Sequence, residues 1–546
     1  MYNRKKGGLM KLVTVAEMRA IENEANQKGY SYDLMMEKAG NGVAEKLLYW
    51  NTDQTKKTVT AFVGSGNNGG DALTALVPLL AAGWTAFAYL VKDRKDDPLV
   101  IKVEKAGGEI ILYPDDNKLK KLDDILSKSD VLLDGLLGTG FQLPLKDPYL
   151  SVLKEINKKN FKGYVMAIDC PSAVDCDSGQ VADDCIKADT TVCMEAIKVG
   201  LLSFPAYQYV GRLDVVSLDL PRGLKSLEGV KREVATAECV RQLLPNRPLQ
   251  AHKGTFGTAL VVAGSINYTG AALLSGKAAY RIGAGLVQMG VPGPLYAALA
   301  GNFVEATWIL LPHDMGVIKA DGAALLNNNL KKATALLLGP GWGVEDTTKE
   351  FLERILSGNF TSQRKKSGIG FVMMDADEEE FEKSNLPPIV VDADGLKLLQ
   401  KIENWFKLLP KNSVITPHPG EMSVLTEMPI NEIQNDRLRI AREYAALWNQ
   451  VVVLKGAMTV ISAPDERQTI VAVANPALAR AGTGDVLAGI ITGLIAQGIE
   501  PYQASVAGVW IHAQAGLEAS EFVGHPAAVM ATDVLNAIPR VLEKLG

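Results

Sequence analysis

The run 58–63, Thr-Val-Thr-Ala-Phe-Val, feeds without a break into Gly64-Ser65-Gly66-Asn67-Asn68-Gly69-Gly70-Asp71 and then into the helix-forming stretch 72–76. A strand, a glycine-dense turn and a helix start, in that order, bring free backbone N–H groups and the positive end of a helix to one point, which suits a phosphate. A turn capped by Asp71 would account for one glycine, because aspartate favours helix N-caps for local reasons. It accounts poorly for four glycines and two adjacent amides, since each glycine adds unfolded-state entropy that folding must remove. A related pattern returns near the other end of the chain. There Ala481-Gly482-Thr483-Gly484-Asp485 opens a helix-patterned run. Gly482 to Gly484 can present N–H donors as an anion hole, and Asp485 stands where it can take a proton from a hydroxyl attacking phosphorus. A lone aspartate would be read as a cap; the flanking glycines favour the base.

Strand-like runs at 59–63, 131–133 and 165–168 alternate with amphipathic stretches such as 72–82, the rhythm of a doubly wound parallel sheet. The rhythm lasts to about Leu218 and is interrupted by Asp219-Leu220-Pro221-Arg222-Gly223 and the polar segment 225–232. A second α/β series follows with strands at 259–262, 335–338, 389–391, 414–415 and 451–454. A chain of 546 residues exceeds one hydrophobic core, and roughly two to four units are expected. The expected division is a disordered extension 1–10, a first domain 11–223, a linker 224–235 and a second domain 236–546. The charged segment 359–384 reads as a solvated insertion with no catalytic part.

Net charge is −5 and no long Lys/Arg run occurs, which argues against a nucleic-acid partner. No apolar stretch approaches the roughly 18 residues of a membrane span, and 9–15 is too short and too interrupted by Lys11 for a signal segment. A cytoplasmic enzyme acting on small molecules is expected. Cys170, Cys176, Cys185, Cys193 and Cys239 form no C-x-x-C pair and read as reduced structural thiols.

Further loops follow predicted strands and should share one edge of a sheet. In the first half these are Leu133-Asp134-Gly135-Leu136-Leu137-Gly138-Thr139-Gly140 and Ala167-Ile168-Asp169-Cys170-Pro171-Ser172. Gly64 to Gly69 matches a bare G-x-G-x-x-G, yet no well-placed acidic residue follows about twenty positions on, which disfavours hydride transfer. In the second half, Lys455-Gly456-Ala457-Met458-Thr459 reads equally as a nucleotide loop or a solvated hairpin. Thr416-Pro417-His418-Pro419-Gly420-Glu421 is a stiff loop whose histidine either caps a helix or touches a substrate. Gly339-Pro340-Gly341-Trp342-Gly343 and Val391-Asp392-Ala393-Asp394-Gly395 also end strands.

Together these motifs resemble the bifunctional NAD(P)H-hydrate repair enzymes, which join an epimerase domain to an ADP-dependent dehydratase. The resemblance runs from Met10-Lys11-Leu12-Val13-Thr14-Val15 to Ala531-Thr532-Asp533-Val534. It implies a Rossmann-like, doubly wound three-layer N-terminal domain that interconverts the R and S hydrates of NADH and NADPH at the C6 hydroxyl. Carried over by motif, Asn68, Asp134 and Ser172 would ligate K+. Asn67, Asn68, Gly69, Gly70, Asp71, Gly138, Thr139, Gly140, Phe141, Gln142, Leu143, Pro144 and Asp169 would hold the hydrate, with Asp169 as acid/base. The resemblance further implies a ribokinase-like α/β/α C-terminal domain in which Asp485 deprotonates the C6 hydroxyl for phosphorylation by ADP with Mg2+. Elimination then gives the dihydronicotinamide, AMP and phosphate. Lys455, Gly456, Ala457, Met458, Thr459, Asn475, Gly482, Thr483 and Gly484 would hold ADP, and Ala271, Gly341, His418 and Asp485 would line the hydrate pocket. A homo-oligomer is implied by the same resemblance. One departure stands out: the family commonly has glycine where this chain has Ala173, so a positive φ there would strain it. The competing reading is a ribokinase-like small-molecule kinase with a regulatory nucleotide-binding N-terminal domain.

Overall fold

Short Val-, Leu- and Ala-rich strands that are buried on both faces are the material of parallel sheets covered by helices. The computed structural model describes residues 10–51, 56–94, 96–141, 144–359 and 386–546. Gln142, Leu143, the extension before Met10 and the expected insertion after Asn359 lie outside the described residues. The chain divides into two units, 10–232 and 233–546. The segment 224–235, expected as a linker, contains the helix Lys225–Glu228 and the strand Arg232–Val234.

The N-terminal unit holds a seven-stranded sheet in the order Glu109–Leu112, Thr85–Leu90, Thr58–Val63, Val131–Gly135, Tyr164–Ile168, Thr190–Met194, Arg212–Val216. All its neighbours run parallel. The chain builds outward from Thr58–Val63 on one side and then restarts at Val131–Gly135 on the other. Ligands collect at such a switch point, beyond the carboxyl ends of the strands. There the Gly64 N–H donates to Gly135 O at 3.1 Å. A Cβ on Gly64 would stand 1.9 Å from Leu136 O, so only glycine permits the two strand ends to meet this closely.

In the C-terminal unit the sheet runs Thr307–Leu311, Leu286–Pro292, Thr258–Val262, Ala335–Leu338, Ile389–Val391, Val414–Ile415, Val451–Leu454. These strands are mutually parallel, and Thr459–Ser462 and Gln468–Val471 then add antiparallel. The helix Thr483–Ala496 is buried continuously from Val486 to Ala496, as an all-apolar helix must be. Its switch point lies between Thr258–Val262 and Ala335–Leu338, where Gly264 N–H donates to Pro340 O at 2.8 Å and the Trp342 indole to Val262 O at 2.9 Å. The first unit, wound both ways from Thr58–Val63, has the strand order of a Rossmann-like sheet, and the second is likewise an open parallel sheet with antiparallel strands added at one edge. No described helix is long and apolar enough to cross a membrane. All five cysteines are buried and free.

Candidate active sites

In the N-terminal unit the helix begins at Asn67, not after Asp71. Gly66 is its N-cap and supplies no side-chain bond, so the glycine-rich residues form the first turn and Asp71 is not a cap. The weak helix propensity of Asn-Asn-Gly-Gly hides this start from sequence; burial of the following apolar turns overrides it.

A cavity of about 970 Å³ opens at this turn and is lined in part by Asn67, Asn68, Asp71, Asp169 and the segment 138–141. Ser65 and Tyr149 also border it. Gly69 and Gly70 instead pack beneath, against Gly64 O with Arg94 and against Met36 respectively, and Pro144 is not among the lining residues.

Asp169 follows the strand Tyr164–Ile168 with φ of +64°. It accepts from Met194 N–H at 3.0 Å and pairs with Lys198, whose side chain is 1% exposed. Burial opposes the Lys198 charge, but Asp169 holds its pKa above the usual lysine value. Burial raises Glu22, also on the cavity wall, and raises Asp71 further, with Asp169 and Glu22 adding to the shift in Asp71. Lys198 and Glu22 were not anticipated, although one lysine inside Ala196-Ile197-Lys198-Val199-Gly200 was a visible signal of a buried partner.

At the cavity wall the three residues expected to ligate a cation are linked through Leu137, whose N–H donates to Ser172 Oγ at 2.9 Å. The Asn68 amide donates to Leu137 O at 3.1 Å and to Ile168 O at 2.7 Å. Ser172 donates from N–H and Oγ to the two oxygens of Asp134 at 2.7 and 2.5 Å. Asp134 is 2% exposed; burial raises its pKa, and hydrogen bonds from Ser172 and the Leu136 N–H work against that rise. Ala173, next along, has φ of +79° and is fully buried, the left-handed conformation that favours glycine. Ala173→Gly should remove about 1–2 kcal/mol of strain, offset by about 0.5–1 kcal/mol of added unfolded-state entropy. A small rise in unfolding midpoint is the expected outcome in urea titration; a fall would show that Ala173 is unstrained.

In the C-terminal unit the helix Thr483–Ala496 opens on Gly482, at φ +89° and again without a side-chain cap. Asp485 lies in the first turn rather than at the cap. Thr483 Oγ1 donates to Leu478 O and Arg480 O, both at 2.8 Å, and its N–H donates to Arg480 O at 3.4 Å.

Beside this turn lies a buried charge cluster. Lys455 Nζ is 2.7 Å from Asp392 Oδ1 and 3.6 Å from Glu421 Oε2, and Thr416 Oγ1 donates to Asp392 Oδ1 at 2.7 Å. A Cβ on Gly484 would lie 3.7 Å from Lys455 Nζ and 3.9 Å from Asp392 Oδ2, so the helix start and the cluster adjoin. Burial and then Asp392 push the Asp485 carboxyl up to about 7, against the pull of Lys455. The lysine expected to hold a nucleotide is thus paired with carboxylates, while Gly456 and Ala457 after it are exposed. A hairpin does form between Val451–Leu454 and Thr459–Ser462, but its lysine turns inward.

Asp392 and Asp394 flank Ala393, whose φ of +53° and ψ of −121° are costly for an L residue. Asp394 Oδ2 accepts from Gly343 N–H at 3.0 Å. Gly339, at φ +116°, passes so close that a Cβ would stand 2.1 Å from Asp392 O. Gly339→Ala combines wrong φ with a backbone clash, and a loss of about 3 kcal/mol or more is expected in chemical unfolding; an unchanged midpoint would contradict this packing.

Other expected residues separate by role. Gly341 and Ala271 adjoin, since a Cβ on Gly341 would meet Ala271 Cβ at 2.8 Å. His418 caps the helix Pro419–Thr426, its Nδ1 accepting from Gly420 and Glu421 N–H, while Glu421 accepts from His418 N–H at 2.8 Å. Asn475 Oδ1 caps the turn Pro476–Leu478, and its Nδ2 is buried with no partner among the described residues. Met458 points inward, 5% exposed. Asp392 and Glu421 were visible as polar strand ends but not assigned; their pairing with Lys455 requires three neighbouring strands in register.

A family model described as NAD(P)H-hydrate dehydratase matches residues 259–540, and one described as YjeF-related protein N-terminus matches 32–200. The bifunctional NAD(P)H-hydrate repair enzyme of Moorella thermoacetica is 34% identical over 98% of this chain and 97% of its own length. The chain belongs to this family of bifunctional NAD(P)H-hydrate repair enzymes. The repair enzyme of Thermofilum pendens is 32% identical, covering 98% of this chain and 97% of its own. Among solved structures, the ADP/ATP-dependent NAD(P)H-hydrate dehydratase of Bacillus subtilis is 30% identical, covering 57% of this chain and 98% of its own, with a TM-score of 0.46. As a family member the chain is an enzyme with both epimerase and dehydratase domains, and each unit contains one of the two carboxylate clusters described above.

Proposed function

We propose that the N-terminal cavity equilibrates the R and S hydrates of NADH and NADPH, and that the C-terminal site dehydrates the S form at the expense of ADP. The observation that supports this most strongly is Asp485, whose carboxyl burial pushes up to about 7, in the first turn of a helix that opens on Gly482 without a side-chain cap. Asp485 takes the C6 hydroxyl proton as that oxygen attacks the terminal phosphorus of ADP, while the amides at Gly482 to Gly484 receive the charge on the transferring oxygens. AMP departs. The C6–O bond of the phosphorylated hydrate then breaks with phosphate as leaving group, and loss of the C5 proton restores the dihydronicotinamide. Lys455 acts by holding Asp392 and Glu421, while the loop Lys455 to Thr459, with Asn475, contributes the nucleotide's remaining contacts. Ala271, Gly341 and His418 border the hydrate.

Two ions belong to this reading. The all-oxygen set of Asn68, Asp134 and Ser172, with the buried Asp134 paired among the described residues to Ser172 and the Leu136 N–H, would fit K+. In the second site Mg2+ would arrive with ADP rather than sit in a dedicated protein cage. It would neutralise phosphate charge there.

Product analysis tests the reading. Purified protein given the S hydrate, ADP and magnesium should yield AMP and phosphate in equal amounts with the restored dinucleotide. A stable phosphorylated product with no free phosphate would instead identify a kinase.

A further inference from the structure

The epimerase cavity contains three carboxyls that differ in how they are held. Asp169 is fixed by Met194 N–H and Lys198. Glu22 lies on the helix Val15–Gln27, with Arg19 and Lys198 acting on it. Asp71 is different: it is 7% exposed, lines the cavity, and its side chain has no hydrogen-bond or ion-pair partner among the described residues. A buried ionised carboxylate without a partner is strongly disfavoured. A pocket that must also admit the phosphates of a dinucleotide cannot hold three ionised carboxylates against one buried lysine and one arginine. Of the three, Asp169 is the one that Lys198 pairs with directly.

We propose that Asp71 is the proton donor of the epimerase, working opposite Asp169 as acceptor. The inference rests on the epimerase reading of this cavity and adds a second acid/base group to it. Asp71 gives its proton to the C6 hydroxyl of the hydrate. The C6–O bond breaks, its electron pair leaving with the oxygen as water, while the N1 lone pair forms a C6=N1 double bond. Water then adds to the other face of C6, the π pair returns to N1, and the proton that this water releases goes to Asp169. A proton passes back from Asp169 to Asp71 before the next turnover, so no atom or charge is gained or lost. Lys198 is a positioning residue in this scheme, since it reaches the reaction only through Asp169.

The charged groups acting on Asp71 are Asp169, Glu22 and Lys198. Arg94, from the loop before the helix Pro98–Lys105, is held by Asp97 and Gly64 O. Donation by Asp71 therefore requires a fall in epimerase kcat at high pH as its proton is lost. In the full-length enzyme, Asp71→Asn should lower epimerase kcat by about 100-fold, leave KM within about threefold, and abolish the alkaline fall. Dehydration of the S hydrate by the same preparation should be unchanged. An Asp71→Asn enzyme with wild-type epimerase kcat, or one with only KM raised, overturns the assignment. So does a wild-type kcat with no alkaline fall, a measurement that needs no variant. Failure of the wild-type enzyme to equilibrate the epimers would instead remove the epimerase reading itself.

Discussion

Asp485→Asn should lower dehydratase turnover by about 10³-fold, within the range that loss of a positioned proton acceptor produces. Asparagine keeps the shape and removes only the capacity to accept a proton, so binding of hydrate and nucleotide should persist. The epimerase, in the other unit, should be unaffected. The wild-type pH profile follows from the same group. Only the ionised carboxylate accepts a proton, and burial places its midpoint at about 7; dehydratase kcat/KM should therefore rise with pH through about 7 and level off above. In Asp485→Asn that rise should vanish. A variant that retains a tenth of wild-type turnover, or that keeps the pH dependence, would assign the proton to another group.

Lys455→Met should strongly destabilise the second unit. The ammonium is 2.7 Å from Asp392, whose side chain is 2% exposed, and it also faces Glu421. Removing one partner of a buried pair leaves the other charge unpaired, at a cost of about 3–5 kcal/mol. The stranded groups are carboxylates, which can neutralise by taking up protons as pH falls. The deficit should accordingly be larger at pH 8 than at pH 5, measured by urea unfolding of the two proteins side by side. Adding Asp392→Asn to Lys455→Met should recover part of the loss, the signature of direct coupling. Equal stability of Lys455→Met and wild type at pH 8 would show that the cluster is solvated.

The parts of this molecule that sequence reveals are those whose physics is local. Short apolar strands followed by glycine turns announce a parallel sheet and mark its carboxyl edge, and Gly64 and Gly339 occupy turns where a Cβ would strike a neighbouring carbonyl. The strain expected at Ala173 is also local, and its φ of +79° shows it. Helix starts were misjudged by a few residues because Asn67 to Gly70 have poor propensity and are carried into the helix by packing further along. What could not be read were the partners. Lys455 meets Asp392 across 63 residues of sequence and Lys198 meets Asp169 across 29. Such pairings depend on which strands become neighbours, a non-local outcome, so the Lys455 loop reads equally as a nucleotide loop or a solvated hairpin and the partner of Lys198 cannot be named.

The most direct test of the two-site account uses the intact enzyme with an equal mixture of R and S hydrates of NADH, excess ADP and magnesium, followed by dihydronicotinamide absorbance. Complete recovery of both epimers is predicted for the wild type, with Asp485→Asn giving none while still equilibrating the pair. Recovery that stops at the S half in the wild type, or loss of both activities in Asp485→Asn, would contradict it.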